Sequence, residues 1–386
     1  MKSNIFISAL FAAAISLASC NSSNATPKKN TIEGKPLNAE KTKIQVALLL
    51  DTSSSMDGLI DQAKSRLWNI VNTLTTLKYD GKTPDIEIAL YEYGNDGLSK
   101  QSNYIRQITP LSTDLDLISE KLFALTTNGG NEYCGAVIQD ATKQLNWARE
   151  NNNMKLIYIA GNEDFKQGGI DYKEAISDAL KNDIYVNTIF CGDKNEGINT
   201  NWKDGADYGK GKYFNIDSNE SVRYIATPYD DEISKCDEKM NDTYINYGSK
   251  GHEKKMNQTT QDKNAKKVSV SNYTERAVSK SKAVYKNESW DLVDKVKDDA
   301  AAISKIKKEE LPAELQNKST EELKTFVAQK SKERETIQKE IGVLAKKRQE
   351  FIDNESKKTK KQDDLGNAIT SSIAGFAKVK GYTVEK

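Results

Sequence analysis

The residues best suited to chemistry stand in one short segment, Leu50-Asp51-Thr52-Ser53-Ser54-Ser55-Met56. Asp51, Ser53 and Ser55 alternate in a D-x-S-x-S pattern, and alternate residues of an extended loop project to one side. One carboxylate and two hydroxyls therefore converge on a point just beyond Leu50. Hard oxygen donors of this kind suit Mg²⁺, with Mn²⁺ or Ca²⁺ as alternatives, and the lack of soft ligands argues against zinc or copper. A site poor in charge leaves the metal electrophilic, so that it recruits an acidic group from another molecule as an outside ligand. The same residue types cap helices, but capping needs one of them and three occur here at ligand spacing.

Other chemistries lack their residues. The 386-residue chain has one histidine, His252, and four cysteines, too few for zinc frameworks or for His-based acid/base and nucleophilic catalysis. Phosphoryl transfer through Asp51 would call for a second acid two residues on, where Ser53 stands, and no G-x-x-x-x-G-K-[ST] or G-x-S-x-G motif occurs. The chain therefore reads as a binding protein and not an enzyme. Lys and Arg number 57 against 56 Asp and Glu, a formal net charge of +1, which gives nucleic acid nothing to attract it.

The elements that must position the loop follow from periodicity. Ile44 to Leu50 is a nearly continuous apolar run, as expected of a central parallel strand covered on both faces. Leu59, Ala63, Leu67, Ile70, Val71 and Leu74 recur at helical spacing between Met56 and Leu77. Strands are expected at Asp85–Tyr93, at Asn103–Thr109 on an edge, and at Lys155–Ala160, Ile184–Cys191 and Lys212–Ile216. Helices are expected at Leu115–Leu125, Cys134–Trp147, Tyr172–Lys181 and Asp230–Tyr247, with a Gly-rich loop after Cys191 that contains Trp202 and Asp204. This alternation predicts an α/β fold, a Rossmann-like, mainly parallel sheet flanked by helices. Its ligand site lies beyond the carboxyl ends of the strands, where strand order reverses.

Residues 251–386 change character and predict a helical region. Pieces are expected between Ser271 and Ile306. Ser319 with Glu322 forms a capping box that launches a longer helix, and Leu365–Val379 is an amphipathic stretch that docks on something. Leu323, Val327, Ile337, Ile341, Leu344 and Phe351 come close to heptad spacing, but Lys330, Arg334 and Arg348 interrupt the seam, so a coiled coil and a helical hairpin are both open.

At the other end, Lys2 and the apolar run Ile5–Leu17 suit a signal peptide, too short for a membrane span. Leu17-Ala18-Ser19-Cys20 looks like a bacterial lipobox, which makes residues 1–20 a leader and Cys20 the acylated, palmitate-bearing first residue of an anchored chain. Similarity to lipoproteins with Asn after the cysteine favours the outer membrane, facing either the periplasm or the surface. Residues 21–41, rich in Ser, Asn, Lys and Pro, read as a tether.

With strand order and motif together, residues 42–250 resemble the von Willebrand factor A (vWA) domain family, and Asp51, Ser53 and Ser55 match the first segment of its metal-ion-dependent adhesion site (MIDAS). The resemblance implies a divalent metal whose shell a protein partner completes. The family's second segment has a threonine after a glycine pair. Here Gly129-Gly130 is followed by Asn131 and Glu132, while Thr126 and Thr127 lie upstream. The third segment has an aspartate where this chain reads Ala160-Gly161-Asn162-Glu163-Asp164. Asn131, Glu132, Asn162 and Glu163 are therefore the candidate replacements in a modified site. Direct glutamate coordination would tighten metal binding and weaken the pull on a partner's carboxylate. Cys134 and Cys191 both belong to the carboxyl edge of the sheet, where a disulfide and a pair of buried thiols are equally open. A competing role is a metal-independent envelope scaffold acting through the C-terminal helices.

Overall fold

The computed structural model describes residues 41–358 and 365–385. The leader, Cys20 and the tether lie outside the described residues. From Lys41 onward the chain forms one compact unit. In chain order it contains β1 (Lys43–Asp51), α1 (Asp57–Thr75), β2 (Leu77–Lys78), β3 (Asp85–Tyr93), β4 (Ile105–Ser112), α2 (Leu115–Phe123), α3 (Cys134–Gln144), β5 (Met154–Gly161), α4 (Tyr172–Lys181), β6 (Ile184–Cys191), α5 (Lys194–Asn199), α6 (Trp202–Tyr208) and β7 (Lys210–Ile216). Beyond these lie α7 (Asp230–Asn241), α8 (Gly251–Val268), α9 (Val270–Lys280), α10 (Leu292–Asp298), α11 (Thr320–Ser356), α12 (Leu365–Val379) and β8 (Thr383–Val384).

Six strands form one sheet in the order β4-β3-β1-β5-β6-β7. All neighbours are parallel except the antiparallel edge pair β3 and β4. The apolar run of β1 explains its central place: alternate residues enter opposite cores, Val46, Leu48 and Leu50 on one face and Ala47 and Leu49 on the other. Chain progress reverses around β1, with β3 on one side and β5 on the other. The register sets Asp51 opposite Tyr93 and Leu50 opposite Ala160, so the carboxyl ends of β1, β3 and β5 lie together at the switch point.

The helical C-terminal region is built into the same body. Ile369, Ile373 and Phe376 of α12 share a core with Ile60, Leu67 and Val71 of α1. The Ser372 hydroxyl donates to Asn187 Oδ1 on β6 at 2.7 Å, and β8 then pairs antiparallel with β2. The amphipathic stretch thus supplies part of one helical layer of the sheet domain.

Three expectations need correction. The segment after Cys191 is not an open Gly-rich loop but the two short helices α5 and α6, anchored by fully buried Trp202. The helix α8 lies in the predicted helical region but ahead of the pieces expected from Ser271 onward; its inward face is mostly polar, with Gln258, Gln261 and Asp262 buried beside Ala265, so no apolar stripe announces it. The coiled coil and hairpin give way to a single 37-residue helix, α11, packed along α7, α9 and α10. Arg334 and Arg348, which interrupt the heptads, are the reason. Arg334 Nη1 donates to Asp291 Oδ2 at 2.7 Å and Asp294 Oδ1 at 2.8 Å, with its guanidinium 3.9 Å from the Tyr244 ring centroid. Arg348 Nε donates to Asp230 Oδ1 at 2.8 Å. Both arginines are buried. They dock the helix onto its own chain through charges that a helix partner would have had to match.

A second buried ionic cluster holds α8 and α9. Fully buried Arg276 donates to Asp262 at 2.6 Å and Asp116 at 2.8 Å, and fully buried Lys280 pairs with Asp237 at 2.9 Å and Asp262 at 3.0 Å. Tyr285 and Tyr273 hydroxyls donate to Asp116 and Asp237. Among the described residues, no helix is long and apolar enough to cross a membrane.

Candidate metal centre

The site is assembled by three strand ends. Asp51, the last residue of β1, is fully buried, and Ser53 follows at 4% exposure. The backbone turns sharply here, because the Ser53 amide donates to Asp51 Oδ1 at 2.7 Å and a 3-10 turn over Ser54–Met56 leads into α1. Ser53 Oγ lies 3.4 Å from Ser55 Oγ, so the two hydroxyls share one side of the loop, brought together by the 3-10 turn and not by an extended segment.

From the β5 end, the Asn162 Nδ2 donates to Ser55 Oγ at 3.2 Å. From the loop before α3, Glu132 turns inward and is 3% exposed. Its amide donates to Gln167 Oε1 at 2.6 Å, and its carboxyl lies within hydrogen-bonding reach of Asp51 and Ser53. Three acceptor oxygens, Asp51 Oδ2, Glu132 Oε2 and Asn162 Oδ1, are buried and receive no hydrogen bond. Each such orphaned acceptor costs on the order of 1–3 kcal/mol. Burial, and then the neighbouring Glu132, push Asp51 well above the usual carboxylate range, and burial raises Glu132 as well. Two acids in contact with no cation between them cannot both ionise cheaply.

This donor set fits a hard divalent ion. Asp51 and Glu132 would supply carboxylate oxygens, Asn162 an amide oxygen, and Ser53 and Ser55 hydroxyls. Among the described residues, no cluster of three or more His, Cys, Asp or Glu side chains could hold a metal, so neutral oxygens must complete any shell. The ion would supply Lewis acidity. The chain's own groups fix its ligands: the Ser53 amide orients Asp51, Gln167 orients Glu132, and Ser55 orients Asn162.

The remaining candidates fall elsewhere. Asn131 is exposed, so the position after the glycine pair faces outward and its successor Glu132 faces the site. Glu163 is also exposed; its amide, not its carboxylate, serves the site by bonding to Glu132, and its carbonyl accepts from Trp202 Nε1 at 2.7 Å. The Thr127 hydroxyl bonds to Asp57 on the rim. Cys134 and Cys191 are free buried thiols. The disulfide does not form because they sit in the two cores on opposite faces of the sheet, and burial pushes both thiols up.

Sequence reasoning missed the contribution of β3. Gly94, at φ +79°, follows that strand, and a Cβ there would come within 2.7 Å of Glu132 Cγ and 2.9 Å of Asp51 Oδ1. Only glycine combines this backbone with the space for two carboxylates. Asn95 Nδ2 then donates to the carbonyls of Thr126 at 3.0 Å and Thr52 at 3.4 Å, tying two metal loops together. A glycine directly after a predicted strand was the available signal.

No curated protein matches the chain. Among solved structures, the chain is similar to proximal thread matrix protein 1 from the mussel byssus, with a zinc-occupied MIDAS motif, at 16% identity and a TM-score of 0.34, covering 45% of this chain and 42% of that one. BatB from Bacteroides thetaiotaomicron gives 16% identity, a TM-score of 0.34 and coverage of 45% and 90%. An aerotolerance-related membrane protein from Bacteroides fragilis gives 16% identity, a TM-score of 0.31 and coverage of 46% and 93%. The chain thus spans less than half the length of the mussel protein and most of the two bacterial ones. The von Willebrand factor type A domain model matches residues 45–227, and that stretch, from β1 to the segment after β7, has the vWA-like fold with its strand ends gathered around Asp51.

Proposed function

We propose that this protein is a binding module of the cell envelope, not an enzyme, in which the vWA-like domain holds a divalent ion, Mg²⁺ in the first instance, and uses it to engage a protein partner. The observation that carries this reading is the presence of three orphaned buried oxygens, from Asp51, Glu132 and Asn162, on the loops at the switch point of the sheet, with the Asp51 and Glu132 carboxyls in contact and Asn162 tied to Ser55. A cation supplies the charge and the acceptor-satisfying bonds that such oxygens lack. In this reading Cys20 carries the lipid anchor, Asn21 directs the chain to the outer membrane, and the tether spaces the domain from the bilayer.

Titration of the chain from Asn21 onward with Mg²⁺ and Mn²⁺ by calorimetry, beside Asp51→Ala, tests the metal. Saturable 1:1 binding lost in the variant supports it, and no heat with either ion overturns it. Mass analysis of the N-terminal peptide tests the anchor. The competing scaffold role has less to rest on, since α11 and α12 direct their buried arginines and apolar faces onto the body of their own chain.

A further inference from the structure

Given the proposed metal site, we infer that Glu132 supplies from within the chain the negative charge that a partner's acid would otherwise bring, so that the outside ligand of this site is a neutral oxygen donor, an amide carbonyl or hydroxyl, in place of the acidic group expected from the resemblance. The inference rests on the divalent-ion reading above and adds the chemical class of what is bound.

Two observations carry it. The first is charge at the donor set. Asp51 and Glu132 are both buried, both press against Gly94, and each keeps one oxygen without a hydrogen bond. Two carboxylates cancel the charge of a divalent ion, whereas a site with Asp51 as its sole acid would leave one positive charge for a third, external carboxylate. A third carboxylate here would also stand beside two others in a poorly solvated pocket, where like charges repel strongly. Glu132 does not hang loosely: Gln167 holds its amide, the Glu163 amide reaches its carboxylate, and α3 starts two residues later. It is therefore a permanent member of the site.

The second is the rim. Asp57, Asp96, Glu163 and Asp164 are exposed around the three loops, with Lys166 as the nearby cation in the same segment. Asp57 bonds to Thr127 of the second loop, Asp96 lies beside Gly129, and the Glu163 charge acts directly on Glu132. An approaching acidic side chain meets a field of its own sign, while a neutral carbonyl or hydroxyl does not.

The test uses the full chain in detergent, loaded with Mn²⁺, and reads bulk-water proton relaxation, which falls when a small ligand displaces metal-bound water. Acetate and N-methylacetamide are the probes, and Glu132→Thr and Glu132→Gln are the variants. In the unaltered protein acetate should need at least tenfold higher concentration than in either variant, and Mn²⁺ should bind at least tenfold more tightly, while N-methylacetamide acts alike on all three. Equal displacement by acetate in all three proteins, with Mn²⁺ bound, overturns the inference and leaves the metal site standing. Failure of the unaltered protein to bind Mn²⁺ removes both. If Glu132→Thr does not fold, Glu132→Gln, which keeps the shape and removes the charge, decides alone.

Discussion

Gly94 lies flush against Glu132, with no room for a Cβ, which would come within 2.7 Å of the Glu132 Cγ and 2.9 Å of Asp51 Oδ1. The end of β3 thus sets how far two acids, one from the end of β1 and one from the loop before α3, can advance into the site. Gly94→Ala should displace Glu132 and strain a backbone at φ +79°. We expect a stability loss of roughly 1–3 kcal/mol and a fall in Mn²⁺ affinity of about tenfold or more, equivalent to ~1.4 kcal/mol. Calorimetry and urea unfolding measured on the same preparation check both.

Asp51→Asn keeps an acceptor for the Ser53 amide and removes a buried carboxylate that has no counter-charge. In the presence of a chelator the variant should be more stable than the parent, by about 1–3 kcal/mol. With Mn²⁺ added the order should reverse, because only the parent gains binding energy. A parent that is the more stable of the two without metal would show that the site is satisfied by protein groups alone.

Arg334 is the buried clamp between α11 and the segment carrying Asp291 and Asp294. Arg334→Ala leaves the buried Asp291 and the half-buried Asp294 without their guanidinium partner and the Tyr244 ring uncovered. A loss of about 3–5 kcal/mol is expected, seen as a lower unfolding midpoint in urea. Loss of less than ~1 kcal/mol would mean that α11 is held by its apolar contacts and not by this charge.

Asp294 gives a pH signature. Burial, reinforced by Asp291, raises its carboxyl to about 6, against about 3.9 in an unfolded chain. Between those values the folded state holds the proton and the unfolded state does not, so stability is fully present below about pH 4 and declines as pH rises through about 6. Relative to Asp294→Asn, the parent should lose on the order of 2 kcal/mol across this window. Unfolding at pH 4.5 and pH 7 in both proteins checks the difference, and parallel pH curves would sink the assignment.

The apolar run of β1, the helical spacing of α1 and the capping box at Ser319 were legible because each is local: a strand covered on both faces, an amphipathic helix and a cap write their requirements into neighbouring residues. Asp51, Ser53 and Ser55 were legible for the same reason, since one loop carries all three. The fold class followed from the alternation of such local signals. The rest of the site was decided between segments far apart in sequence. That Glu132 and not Asn131 faces inward depends on how the loop before α3 meets Gly94 and Gln167. That Asn162 joins while the Glu163 side chain stays outside depends on Trp202 holding the Glu163 carbonyl from 39 residues away. Cys134 and Cys191 shared an edge on paper, but the sheet itself lies between their two cores. The arginines of α11 read as flaws in a heptad because their partners, Asp291 and Asp230, become neighbours only once the chain has folded back on itself. Periodicity reports which face of an element is buried; what meets that face is a property of tertiary contact, where charge, volume and register are settled together.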